Sequence, residues 1–238
     1  MRGFADILRF DVIVQARNGF YWASLFVVLA ISALLAAMPI AVINNPGLWV
    51  PALAAFNLQI TTFFFVAGLL LLEKDEGTLT ALGVSPLSAR KYLLAHTTTL
   101  TTLAAAETLI IIWFAFGFAT SWVLFAGIGA LGITYTCFGV AVAARYDSIN
   151  TLLLPASVIV TVLLLPLLAH FALTPRVLLI WHPMEPAITL MRAAYEPTAM
   201  RELLFGVAGS GMWAYLAFRL AQNAVTQLMR DTRASGGR

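Results

Sequence analysis

Glu107 lies in the middle of an apolar run, Leu-Ala-Ala-Ala-Glu-Thr-Leu-Ile, within a segment long enough to cross a bilayer. An ionised group at such a depth costs about 2.5–3.5 kcal/mol on insertion scales, so an acid kept there marks a function by default. It could hold a cation, relay protons or pair with a neighbouring helix. The plainer alternative is a neutral or hydrogen-bonded structural acid. Asn57 and Gln59 stand two apart in the preceding apolar segment and so do not share a helix face. Thr97, Thr98, Thr99, Thr101 and Thr102 open the segment of Glu107. Such hydroxyls either satisfy their own helix or line a polar path. Phe63, Phe64 and Phe65, with Trp113, Phe114, Phe116 and Phe118, predict an aromatic interior suited to apolar ligands or to ordinary packing. Glu107, Asn57, Phe64 and Thr101 are the candidate lining of a path through the membrane.

The run from Glu73 to Tyr92, EKDEGTLTALGVSPLSARKY, is the second constellation. Its charges, Glu73, Lys74, Asp75, Glu76, Arg90 and Lys91, cannot lie in hydrocarbon and mark a loop at one membrane face. Gly77-Thr78 and Gly83-Val84 break it. Ser85-Pro86 reads as a helix start, a capping hydroxyl followed by a proline at the first helical position. A loop with structured pieces predicts a docking surface.

The missing motifs exclude several chemistries. No G-x-x-x-x-G-K-[ST] occurs, so this sequence has no P-loop for a nucleotide. G-x-S-x-G, H-E-x-x-H and C-x-x-C are absent too. His96, His170 and His182 fall in separate segments, so no metal site is expected. Cys137 is alone, which excludes an internal disulfide.

The elements that must position these residues follow from composition. Of 238 residues 61% are hydrophobic and 11% charged, with a mean hydropathy of +0.90. Soluble domains carry about 25% charged residues, so the chain reads as an all-α polytopic membrane protein. The net charge of +3 and pI near 9.3 do not point to nucleic acid, because the basic residues flank apolar spans. No cleavable signal peptide is expected.

Residues 1–19 predict an imperfect amphipathic interfacial helix. Arg2, Asp6, Arg9 and Arg17 share a sector, and Asp11 and Gln15 are exceptions on the apolar side. Six spans are expected at about 20–43, 49–72, 93–118, 121–144, 151–171 and 203–224, within a transmembrane domain of 20–228. Asn44-Asn45-Pro46-Gly47 and Thr120-Ser121 are turns, and Pro155 and Pro166 should bend the fifth span. Residues 229–238 form a tail, expected to be disordered from Asp231 on. Arg2, Arg9, Arg17, Lys74, Arg90, Lys91, Arg145, Arg219, Arg230, Arg233 and Arg238 fall on one side and Arg176, Arg192 and Arg201 on the other. That asymmetry places both termini and the 73–92 loop in the cytoplasm of a cell, expected to be bacterial. The segment 172–202 is then external. Short interfacial or re-entrant helices are expected near Val177–Trp181 and Ala187–Ala194, with Trp181 and Tyr195 at headgroup level.

Glu73, Gly77, Thr78 and Leu79 spell E-x-x-x-G-T-L. Ser85-Pro86-Leu87 and Tyr92-Leu93-Leu94 follow. This pattern, after the second of six spans, resembles the cytoplasmic loop of ABC-2 type permeases. The amphipathic N-terminal helix and the external Pro183 to Arg192 stretch are similar to that family's, so the resemblance covers essentially the whole chain. Within the family the chain looks most like small drug-export permeases, including fluoroquinolone exporters. His96 departs from the pattern, since many relatives carry a lysine there.

The resemblance implies an ABC-2 (type V exporter-like) fold: six spans, a cytoplasmic coupling loop and short external helices before the last span. It implies a permease that exports hydrophobic or amphiphilic compounds, driven by a separate soluble P-loop ATPase that binds MgATP. This chain itself would be no enzyme and carry no cofactor. A second permease subunit, identical or related, and membrane lipid are the further partners. Glu73, Asp75, Glu76, Gly77, Thr78, Leu79, Ser85 and Pro86 would couple to the ATPase. Trp181, Pro183, Glu185 and Arg192 would form an external gate. Two other readings are a proton-coupled secondary carrier using Glu107 and a non-transporting assembly subunit.

Overall fold

The structure is a computed structural model that describes residues 4–78, 88–117 and 121–235. Leu79, Ser85 and Pro86 of the expected coupling loop, and Phe118 and Thr120, lie outside the described residues. All regular elements among the described residues are helical. They are α1 (Phe4–Arg17), α2 (Phe20–Ala36), α3 (Ile40–Ile43), α4 (Pro46–Asp75), α5 (Ala89–Phe116), α6 (Trp122–Ala143), α7 (Ile149–Leu163), α8 (Pro166–His170), α9 (Glu185–Ala193) and α10 (Met200–Ser235). A 3₁₀ turn, Arg176–Leu178, precedes α9. Among the described residues α4, α5, α6, α7 with α8, and α10 are each long and apolar enough to cross a membrane. The pair α1–α2 makes a sixth if its two halves, bent by 67°, count as one span.

Proline and glycine set most of the boundaries. Gly19 takes a left-handed φ of +80° between α1 and α2, a conformation that needs no Cβ, and there the chain turns. The first apolar helix ends at Ala36, short of the expected Ile43, and α3 forms a separate turn after Pro39. The cause is the Met38-Pro39 pair: proline lacks the amide and pushes its predecessor out of the helical region. Pro46 starts α4 at a position where no N–H is needed. Pro155 lies inside α7 without interrupting it, and the break in the fifth segment falls just before Pro166. The final helix runs to Ser235 and corrects the expectation of disorder from Asp231. Residues 225–235 contain neither glycine nor proline, so nothing stops the helix before Gly236.

α6 is the central element, packed on α4, α5, α9 and α10. Apolar packing alone discriminates poorly in lipid, and close approach through small residues does more. Gly139 shows the principle. A Cβ there would sit 2.5 Å from Val66 Cγ1 and 2.7 Å from the Phe63 carbonyl oxygen, so the bare backbone lets α6 press against α4. At that level α4 carries a π-helical stretch, Gln59–Phe64. Such stretches are rare and recur at functional positions.

Candidate functional site

Polar and charged side chains gather in three places: one within the bundle and one at each end. The middle cluster surrounds Glu107, which is 3% exposed. Thr61, from the π-helical stretch, donates to Glu107 Oε2 at 2.5 Å, and Asn57 Nδ2 lies 3.4 Å from the same oxygen. Asn57 also donates to Thr108 Oγ1 at 2.9 Å. Glu107 Oε1 and Asn57 Oδ1 are buried without a hydrogen-bond partner. Asn57 and Glu107 of the expected path lining therefore meet, facing each other across α4 and α5. The other two stand apart. Thr101 packs on α6, its hydroxyl 3.4 Å from that of Thr136, and Phe64 makes an edge contact with Phe63. Gln59 points elsewhere and donates to the Val160 carbonyl on α7 at 3.2 Å. The expected aromatic interior holds for Phe63, which is fully buried, while Phe114 is turned outward at 66% exposure.

The second cluster lies at the end of the bundle that carries the 73–92 segment, and the sequence reading missed it. His96 sits between two carboxylates, with Nδ1 3.2 Å from Asp11 Oδ1 and Nε2 3.3 Å from Glu73 Oε1. Neither contact follows the ring N–H direction, so these are charge contacts and not aligned hydrogen bonds. The remaining oxygens are held from outside. Thr99 and Gln15 donate to Asp11 Oδ2, and the Tyr92 hydroxyl donates to Glu73 Oε2. All three charged groups are buried.

This geometry corrects two expectations. Glu73 is not part of an exposed loop; it lies in the last turn of α4 facing inward, where the Tyr92 hydroxyl donates to its carboxylate and the His96 ring lies against it. The inward face of α1 is Val14 together with Asp11 and Gln15, the two polar exceptions of its helical wheel, while Phe10 and Ile13 face outward. The three side chains also form a group that could converge on a metal ion, against the expectation that none exists. The imidazole, however, turns a different nitrogen to each carboxylate, and one ion could take only one of those nitrogens.

Lys74 continues the contacts at this end. Its ammonium donates to the carbonyls of Ala144 at 3.1 Å and Tyr146 at 2.5 Å, just past the end of α6. Asp75, Glu76 and Gly77 beyond it are exposed, and Thr78 is half-buried. Glu76 pairs with Arg17 at 3.5 Å, and Gly77 takes a left-handed φ of +68°. Ser88 caps α5 by accepting from the Lys91 amide at 3.4 Å.

The third cluster closes the opposite end. Arg176 binds Glu185 through Nε, Glu202 at 3.3 Å and Thr189 at 2.7 Å. Arg192 reaches Glu196 at 3.5 Å and the other oxygen of Glu202 at 3.7 Å. Glu202 thus ties the 3₁₀ turn and α9 to α10. Burial pushes the Glu185 carboxyl above the ordinary carboxylate range, and the adjacent Arg176 only partly opposes this. His182 is lowered by burial, with its bond to the Val162 carbonyl opposing. Of the four expected gate residues, Glu185 and Arg192 belong to this network. Pro183 is half-buried before α9. Trp181 is 79% exposed and instead rims an apolar cleft of about 190 Å³ with Pro186, Phe205, Met212 and Trp213.

A helical bundle of this length and hydropathy, with an acid inside it and ionic ties at both ends, defines a multi-pass all-α membrane protein. The profile of the fluoroquinolones export permease protein family matches residues 2–231, and the chain belongs to that family. It is 26% identical over 210 residues to fluoroquinolones export permease proteins from two strains of Mycobacterium tuberculosis, with 87% of each chain covered.

Proposed function

We propose that the chain is the membrane-spanning permease subunit of an ATP-driven exporter of ABC-2 type, moving hydrophobic or amphiphilic compounds, fluoroquinolone-like drugs among them, out of the cytoplasm. A separate soluble P-loop ATPase binds and hydrolyses MgATP, and a second permease subunit completes the path in the cell membrane. Both termini and the 73–92 segment face the cytoplasm in this reading. The observation that carries it is the mounting of the α4 end. Asp75, Glu76 and Gly77 stand exposed beyond a root that Glu73 fixes to α5 and Lys74 to the end of α6, with Glu76 paired to Arg17 of α1. An exposed acidic tip on a fixed root suits a partner that pushes, because rigid elements transmit displacement. At the opposite end the Arg176–Glu202–Arg192 network serves as the external closure, with Glu185 and Arg192 as gate residues. Its ion pairs are part-exposed and worth about 0–1 kcal/mol each, so they can open during a cycle.

The test is purification of the tagged chain in mild detergent, then uptake of a fluorescent fluoroquinolone by inverted vesicles. A P-loop ATPase in equal amount and uptake that requires ATP are expected. The double substitution Asp75→Asn, Glu76→Gln should weaken ATPase retention while leaving the chain folded. Uptake unaffected by removal of ATP would overturn the proposal.

A second reading rests on Glu107, a buried acid with one oxygen unpartnered beside a π-helical turn. As a proton carrier it predicts uptake driven by a pH gradient without ATP and abolished by Glu107→Gln.

A further inference from the structure

His96 is the one residue that touches both acids of the buried cluster, and those acids come from different elements. Asp11 belongs to α1 and Glu73 to the end of α4, while His96 itself is on α5. The groups facing the ring are few. They are Asp11 from α1, Glu73 from α4 and Tyr92 from the preceding turn of α5, whose ring centroid lies 4.3 Å away. Tyr21 of α2 reaches the cluster through Gln15 Oε1 at 3.4 Å. Among the described residues no lysine or arginine forms an ion pair with either acid. The histidine therefore supplies the only positive charge between two buried carboxylates.

The charges on either side of the ring favour one form of it. A carboxylate oxygen only accepts, and a neutral imidazole donates from one nitrogen and accepts at the other. Here both nitrogens lie at charge-contact distance from carboxylate oxygens, and only the doubly protonated ring sets a positive charge against both acids. Removing that charge leaves two acids opposed in the interior, where an unpaired charge is far costlier than at a surface. Besides this contact, α1 is held by the Gln15 and Asp11 bonds to Thr99 and by the exposed Arg17–Glu76 pair. Its inward face is Asp11, Val14 and Gln15, and its large apolar side chains Phe10 and Ile13 point away from the bundle.

We propose that His96, as an imidazolium, is the positioning residue that pins α1 to the root of the 73–92 segment, so that α1, α4 and α5 move as one body when a partner acts on that segment. The pin is a property of the chain alone. Its role in transmission rests on the exporter reading above.

Two measurements separate these. In the first, the chain is reconstituted without ATPase in lipid nanodiscs, in a Cys137→Ser background. Spin labels at the exposed positions Ile13 on α1 and Thr98 on α5 report their separation. The wild type should give a narrow distance distribution that broadens as pH rises through the titration of His96. His96→Gln should be broad at every pH, and His96→Lys, a permanent cation, narrow at every pH. The triple substitution Asp11→Asn, Glu73→Gln, His96→Gln removes all three buried charges and should be folded but unpinned. In the second, ATP-driven uptake by the assembled complex should fall about tenfold in His96→Gln at equal ATPase retention, within the usual range of coupling between sites. His96→Lys should restore it.

A narrow distribution in His96→Gln overturns the pin. A broad distribution with full uptake overturns its role in transmission. Zn²⁺ or Co²⁺ binding that narrows the wild-type distribution and vanishes in His96→Gln would replace the imidazolium with a metal ion and overturn the proposal. Uptake that needs no ATPase would sink the exporter reading alone and leave the distance result standing.

Discussion

Lys74 provides the most direct quantitative test of the joint at the 73–92 end. Its ammonium sits beyond the C-terminus of α6, where the last carbonyls of a helix lack intrahelical partners and the helix dipole favours a cation. The side chain is 12% exposed, and it donates to the carbonyls of Ala144 and Tyr146 at 3.1 and 2.5 Å. Its contact with Asp147, at 3.5 Å, reaches a fully exposed carboxylate that water screens. Lys74→Met keeps the aliphatic stem and deletes the charge. Hydrogen bonds to a charged group contribute about 1.5–3 kcal/mol each, but the freed carbonyls lie near the bundle end and regain water, so the net loss should be about 2 kcal/mol. At 1.4 kcal/mol per decade that is roughly a thirtyfold change in a local opening constant. The amides to watch are those of Ala144, Arg145 and Tyr146, which bond to Val140, Val142 and Ala143 carbonyls in the same turn. Hydrogen–deuterium exchange of the chain in nanodiscs should show them exchanging roughly thirtyfold faster in Lys74→Met, with the centre of α6 unchanged. Exchange at these amides within about threefold of the wild type would refute the reasoning, because the capping energy would then be below about 0.7 kcal/mol.

Three further expectations follow from the packing and the far-end network. Gly139→Ala should lower resistance to denaturing detergent by about 1–3 kcal/mol, since the new methyl meets Val66 and the Phe63 backbone and backbone cannot swing aside; an unchanged unfolding midpoint would show that α4 and α6 can separate freely. Arg176→Leu should destabilise the docking of α9 more than the double substitution Arg176→Leu, Glu185→Gln does, because the single change leaves Glu185 buried without its direct ion-pair partner. Additive losses in that cycle would count against a coupled pair. The pH dependence of the same region follows from Glu185. Its folded-state value lies above the ordinary 4.5, so the proton is bound more tightly in the folded form. Its stabilising contribution is therefore complete below the unfolded value and lost as pH rises through the folded one. Protection of the α9 amides, taken relative to the intrinsic exchange rate at each pH, should be higher at pH 4 than at pH 7, and Glu185→Gln should remove that part of the difference.

The helical, multi-pass architecture was legible because it rests on hydropathy summed over long windows, and the family was legible from the E-x-x-x-G-T-L and S-P-L spacing. What composition hid was pairing. Asp11 and Gln15 were exceptions on a helical wheel, Glu73 was counted with a charged loop, and His96 was an isolated histidine at the foot of a span. Each reading treated a polar residue within its own segment, whereas the partners are far apart in sequence: Gln15 meets Thr99 across 84 positions, and Asn57 meets Glu107 across 50. A charge account could have reduced that blindness. An acid on the apolar side of α1, an acid at the end of one span and a titratable base at the start of the next all lie at similar depth, and in a medium that penalises each alone their mutual pairing is the least costly arrangement. The same account explains why Glu107 differs from the other two acids. It has hydroxyl and amide donors but no cation among its contacts, so its neighbours suit a neutral acid as readily as a carboxylate. The chain thus carries two kinds of interior acid. One kind is locked in an ionic joint next to the segment proposed to meet the ATPase, and the other is held by neutral donors in the middle of the bundle. Uptake by Glu107→Gln with ATP present, set beside uptake by His96→Gln, asks which of them the transport cycle uses. Loss in the histidine variant alone is the result expected from the proposed exporter, in which a partner acting on the 73–92 segment moves the bundle through the joint.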